Sequence, residues 1–170
     1  MLYGDILNVH ISDSVMHSEN NRIDFLKQFI GKPVSQDFSP VANWLNGKLM
    51  DVGADFMEVE YVVREDMCNP MRTLHGGIAA TILDDIVGTM VYAMGREFAF
   101  TSVNLNCDFL NPAVPGQVII AKSKVIRSGR NIVHVEGEIV STEGKIIAKC
   151  TSNLIQTALK IPDVPAVTFR

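Results

Sequence analysis

A chain of 170 residues and 18.7 kDa has the usual size of one domain, and 47% hydrophobic against 20% charged residues is enough to fill a core, which excludes a disordered or fibrous protein. A net charge of −4 and a pI near 5.5 exclude a general nucleic-acid binder, whose affinity comes from clustered Lys and Arg releasing counterions. The three cysteines, Cys68, Cys107 and Cys150, lie far apart with neither a CxxC pair nor zinc-like spacing, so they read as reduced structural thiols and no metal is expected.

Residues Met1 to Asn20 lack a basic start followed by an apolar run, so no secretory signal is expected and the cytoplasm is the expected location. Ile23, Leu26, Phe29 and Ile30 recur at helical spacing before the stop signal Gly31 and Pro33, which predicts an amphipathic helix. Ser39 as cap, Pro40 in the first turn and Gly47 beyond Trp44 and Leu45 predict a second, short one. Both belong to an N-terminal helical extension, 1–47.

From Met57 the period becomes two, with Val59, Tyr61 and Val63 against Glu58, Glu60 and Arg64, as in a strand with one wet face. The stretch Thr73 to Met94 is the most apolar, but Asp84 and Asp85 split it where a bilayer penalises charge most, so it reads as a buried helix and not a membrane span. Alternation returns at Val103, Leu105, Cys107, Phe109, at Val133, Val135, Gly137, Ile139, and at Ala148, Cys150, Ser152, Leu154. Gln117 to Ile126 is strand-like as well, and Ser128-Gly129 and Glu143-Gly144 suit tight antiparallel links. The expected order is strand, long helix, then four strands. A helix apolar almost all round must be enclosed, and a curved antiparallel sheet can wrap it: an α+β hotdog fold over 48–157, with 158–170, containing Pro162 and Pro165, as an extended C-terminal arm.

The chemistry concentrates between Asn69 and Asp85. The pair Gly76 and Gly77 at a helix start permits close approach to backbone N–H groups that carry positive dipole charge, although a glycine pair alone also makes an ordinary turn. Gly77, Ala80, Thr81, Asp84 and Gly88 share one helical stripe, small or neutral except for the carboxylate. A carboxylate in an apolar helix needs a compensating role, as substrate-facing base or nucleophile or as a backbone-bonded structural group. Asp85 falls on the stripe of Ile78, Ile82 and Thr89 and reads as structural. Taken singly, His75 and Asn69 read as a structural histidine and a turn residue.

Taken together, an Asn six residues before His-Gly-Gly and an Asp nine after the His resemble the hotdog acyl-CoA thioesterases of the phenylacetyl-CoA thioesterase (PaaI-like) and thioesterase superfamily member 2 type. The resemblance covers roughly Lys48 to Thr157. It implies that Asp84 attacks the thioester or activates water, that the Gly76 amide, with Gly77 and Thr81 nearby, holds the carbonyl, and that Asn69 and His75 orient substrate, leaving thiol or water. It also implies a water-positioning role for Ser102 from the partner subunit, although regular alternation turns Ser102 away from its own helix. Arg127, Ser128, Gly129 and Arg130 resemble the turn that meets coenzyme A, and could equally be a solvated hairpin. The substrate implied is an acyl-CoA, with coenzyme A entering as part of it and no separate cofactor; an open sheet edge implies a homodimer or homotetramer. Two alternatives stand beside this reading. One is a non-catalytic acyl-CoA binding module, which the retained Asp84 disfavours. The other is a hotdog enoyl-CoA hydratase, whose motif Asp66, Asn69, Pro70 and His75 resemble with different spacing.

Overall fold

The fold is seen in a computed structural model that describes residues 21–32 and 39–162. In chain order it comprises α1 (Asn21–Lys27), α2 (Pro40–Leu45), β1 (Lys48–Val52), β2 (Phe56–Val62), a 3-10 turn at Glu65–Met67, α3 (Gly76–Ala93), β3 (Phe98–Phe109), β4 (Val118–Ser128), β5 (Ile132–Ser141) and β6 (Ile146–Lys160). The strands form one antiparallel sheet in the order β1-β2-β4-β5-β6-β3. The sheet holds α3 across one face, which is the hotdog arrangement.

The apolar faces of helix and strands meet in a single core. Ile82, Leu83, Ile86, Val87 and Met90 of α3 are at most 1% exposed, and they face equally buried Ile119, Ala121, Val133, Val135, Ile139 and Ala148. α3 is long and apolar enough to cross a bilayer, but it is this core helix of the sheet. Its enclosure is incomplete, however: Gly77 and Asp84, on the stripe of small residues, stay exposed.

The sheet has six strands where five were expected. β1 escapes period-two reading because its pairing with β2 slips between Leu49 and Asp51, so that its buried residues, Leu49 and Val52, are three apart. α2 starts as predicted, with the Ser39 hydroxyl accepting from the Ala42 N–H at 3.0 Å, but its stop is Asn46, left-handed at φ 54°. Gly47 serves packing instead: a Cβ there would lie 2.5 Å from the Tyr61 ring. At the other end β6 runs on through Lys160, so the first residues of the expected arm belong to the sheet; Pro165 falls outside the described residues, as does Pro33.

The N-terminal helices are fastened to this body. α1 buries Ile23 and Leu26, and α2 buries Ala42 and Leu45. The Gly31 N–H donates to Leu49 O at 2.8 Å, and the Leu49 N–H donates back to Lys32 O at 3.3 Å. Arg64 donates to Leu45 O at 3.1 Å with its guanidinium 4.9 Å over the Trp44 ring. Arg22 donates to Arg96 O at 2.8 Å and lies 4.8 Å over Tyr92.

Gly137 marks the closest approach of helix to sheet: a Cβ there would stand 2.8 Å from Cys150 Sγ, 3.2 Å from Leu83 and 3.3 Å from Val87. Overpacking of this kind costs about 1–3 kcal/mol. Gly137→Ala should therefore lower Tm by several degrees in a melting curve; an unchanged Tm would show that α3 is not held tightly against β5.

Candidate active site

The loop before α3 is built so that one backbone donor is left over. Cys68 bridges to Leu74, the His75 N–H donates to Met67 O at 2.9 Å, and the Leu74 N–H donates to Ala113 O at 2.8 Å. Asn69 staples the turn from within. Its Oδ1 accepts from the N–H groups of Met71 (2.9 Å) and Thr73 (3.2 Å), and its Nδ2 donates to Thr73 Oγ1 at 2.9 Å. Asn69 thus shapes the loop that presents His75 and is engaged there, not at Asp84.

At the helix start the N–H groups of Ile78 and Ala79 donate to His75 O at 2.9 and 3.0 Å, and the Gly77 N–H donates to His75 Nδ1 at 2.9 Å. Of the first helical donors only the Gly76 N–H has no partner among the described residues. His75 is therefore the N-cap, and Nδ1 as acceptor leaves the proton of its neutral ring on Nε2, at an exposed position. The Gly77 amide, expected beside Gly76 as a ligand donor, is already spoken for. The Phe109 ring, which sequence alone did not single out, stands about where a Gly76 side chain would reach: a Cβ there would lie 3.5 Å from it.

Two turns further along α3, Asp84 faces an open groove of about 580 Å³ whose lining includes Ala80, Thr81, Asp85, Ser102 and Leu105. The Ser102 hydroxyl donates to Asp84 Oδ1 at 3.1 Å. The expectation that Ser102 turns away from its own helix is corrected by a bulge. Ser102 pairs with Leu154 but Asn104 with Asn153, so Val103 is an extra residue in β3. Phe100 and Ser102 before it, and Leu105 and Cys107 after it, all lie toward the helix, while Val103, expected inside, is 62% exposed. Thr81 donates its hydroxyl to Gly77 O at 2.8 Å.

The turn Arg127-Ser128-Gly129-Arg130 lies elsewhere. Arg96, three residues beyond α3, donates to Gly129 O at 3.3 Å and to the Ser128 hydroxyl. This places the turn at the C-terminal end of α3, about 25 Å along the helix from Gly76. Arg127 and Arg130 are exposed and form no ion pair among the described residues.

The adjacent carboxyls differ in environment. Asp84 is exposed, whereas Asp85 is half-buried, and burial first, then the Asp84 charge, pushes its carboxyl from 3.8 up to about 6. Burial and the Asp85 charge likewise push the Tyr61 phenol up. The thiol of Cys150 is pushed up to about 12, mainly by burial, which removes it as a nucleophile at neutral pH. Among the described residues no group of three His, Cys, Asp or Glu could hold a metal ion.

The raised Asp85 value has a defined consequence for stability. The folded state holds the proton more tightly than the unfolded one, so the stabilisation is complete below about 4 and is lost as pH rises through about 6. Asp85→Asn should raise Tm over wild type at pH 8, with the gain shrinking toward pH 4. A Tm difference that does not vary with pH would contradict this burial of Asp85.

A family model described as Thioesterase superfamily matches residues 71–148. Acyl-coenzyme A thioesterase 13 of Mus musculus is 28% identical over 102 residues, which are 59% of this chain and 73% of the relative. Among solved structures, a phenylacetic acid degradation-related protein from Ralstonia eutropha JMP134 superposes with a TM-score of 0.64 at 32% identity, covering 69% of this chain and 90% of that one. The E. coli PaaI protein from the phenylacetic acid degradation operon shares the fold at a TM-score of 0.69 and 21% identity, over 74% of this chain and 90% of its own. With the helix start, Asp84 and the strands β3, β4 and β5 inside the matched segment, the chain belongs to the thioesterase superfamily.

Proposed function

We propose that this chain hydrolyses acyl-CoA thioesters, with the Asp84 carboxylate as base and the Gly76 N–H as the donor that stabilises the oxyanion. The carrying observation is the pairing of a carboxylate bonded by Ser102 with a helix start that keeps one amide free. Ser102 donates to Oδ1 and leaves Oδ2 to take a proton from water. That water adds to the thioester carbon, the Gly76 N–H receives the charge on oxygen, and the C–S bond then breaks, with the thiolate of coenzyme A leaving and regaining a proton. The Nε2–H of His75 stands beside Gly76 to orient the carbonyl or the sulfur. The mouse relative's name supports acyl-CoA as the substrate class, and Arg127 and Arg130, exposed and without an ion pair among the described residues, are candidates to meet its phosphates at the far end of α3. Unpaired thiols at Cys68, Cys107 and Cys150 suit a reducing compartment such as the cytoplasm.

The spacing of these groups argues for two copies. Gly76 and Asp84 are eight residues apart on one helix, about 12 Å, whereas an oxyanion donor must stand about 3 Å from its oxygen. One chain alone therefore cannot bring both to the same carbonyl. β3 is an edge strand that passes Asp84 at Ser102 and Gly76 at Phe109, and it exposes Val103 and Phe109, with Leu110 exposed just beyond it. A two-fold antiparallel pairing of β3 with its copy, centred between Ser102 and Phe109, sets a second copy's Gly76 against this chain's Asp84. Homodimers, or tetramers made of them, are thus part of the proposal.

Asp84→Asn should lower kcat by on the order of a hundredfold or more with Tm retained. Gly76→Pro removes the N–H and adds a ring that the backbone admits, since proline suits the first helical position and His75 is already extended at ψ 133°. Each variant should be inactive alone, but half the dimers of an equal mixture carry one intact composite site, giving about a quarter of wild-type turnover. Near-wild-type activity of Asp84→Asn, measured by thiol release, would refute the catalytic assignment; no rescue in the mixture would refute the shared site.

A further inference from the structure

Behind the catalytic groove lies a second cavity that the reaction as described does not use. It is small, about 20 Å³, and mainly apolar, with Leu26 and Phe29 from α1 and its following turn, Ala42 from α2, and Met57 and Val59 from β2, while Tyr61, Thr89 and Asp85 also line it. Asp85 lines both the groove and the cavity, and so does α2, through Val41 in the first and Ala42 in the second. The two spaces therefore lie on either side of one seam between α2 and α3. Val41 is left 46% exposed at the rim of the groove, and the Asp85 carboxyl forms no ion pair or hydrogen bond among the described residues. The far wall is not a loose flap, because Gly31 and Lys32 are bonded to Leu49, and Arg64 holds Leu45. That wall also lies outside the segment that matches the superfamily, 71–148.

Resting on the thioesterase reading above, we propose that the seam between α2 and α3 receives the acyl chain of the substrate, and that the N-terminal helices end it in the apolar cavity, making the enzyme selective for short, uncharged acyl groups. An acyl group whose carbonyl is at Asp84 has Val41 and Asp85 as its next neighbours. Beyond them the cavity has room for about one or two carbon atoms before Leu26 and Phe29 close it. A carboxyl at the threshold repels an acyl group that ends in its own carboxylate. Apolar length is then read by the burial of each methylene that fits, with a steric stop where the wall begins.

Turnover of straight-chain acyl-CoAs from acetyl to decanoyl, followed by thiol release, tests this with two variants that act differently. Phe29→Ala opens the wall and should raise the octanoyl-to-butyryl ratio of kcat/KM by about tenfold or more. Val41→Asn changes an exposed rim residue that the fold does not need, and should lower kcat/KM for hexanoyl-CoA several-fold more than for acetyl-CoA. If Phe29→Ala does not fold, Val41→Asn alone decides. A profile over chain length that keeps the wild-type shape in every folded variant overturns the inference while leaving the thioesterase reading intact. A wild-type protein that turns over none of these acyl-CoAs overturns both.

Discussion

The burial of one face of α3 against the sheet is the constraint on which everything else rests. Its five large fully buried side chains, Ile82, Leu83, Ile86, Val87 and Met90, are each worth about 1.5–3 kcal/mol on burial, a sum on the order of the whole stability of a domain. A helix held this strongly can neither turn nor slide. Its remaining stripe can then carry an exposed carboxylate at a defined place, and its first turn can present a backbone N–H at a defined distance from it. Gly137, with no side chain beneath Leu83 and Val87, is what lets the helix come so close.

Adjacent positions on that helix show how environment divides labour between like groups. Asp84 faces the groove and keeps a hydroxyl on one oxygen; Asp85, one peptide further, turns about 100° around the helix and is desolvated by burial. The first has the exposure and the polar neighbour that a base requires. The second is costly to charge, because it is half-buried beside a like charge.

Periodicity made the central part of this structure legible and irregularity hid the rest. The apolar run of α3, the alternation in β2 and in β5 as far as Ile139, and the turns at Ser128-Gly129 and Glu143-Gly144 were visible because the period holds over those stretches. β1 was missed because a register slip places its buried residues three apart. Ser102 was seen as a candidate, but its direction was not, because only the pairing with β6 reveals the extra residue at Val103. The motif marked both Gly76 and Gly77, and only geometry separates them: the His75 ring occupies one amide and leaves the other. The engagement of Asn69 within its own turn was likewise beyond sequence, since spacing says nothing of where a side-chain amide is bonded.

The bulge at Val103 also changes how this strand can be compared with others. It acts as a change of phase: residues before it present even positions to the helix, and residues after it present odd ones. A strand without the extra residue meets the same helix with a single parity throughout. An ungapped alignment to such a strand that matches the later half correctly would shift the earlier half by one residue, putting Val103 in the place of Ser102. Relatives of this chain are therefore to be aligned through β3 by the side each residue faces, with the gap placed at position 103.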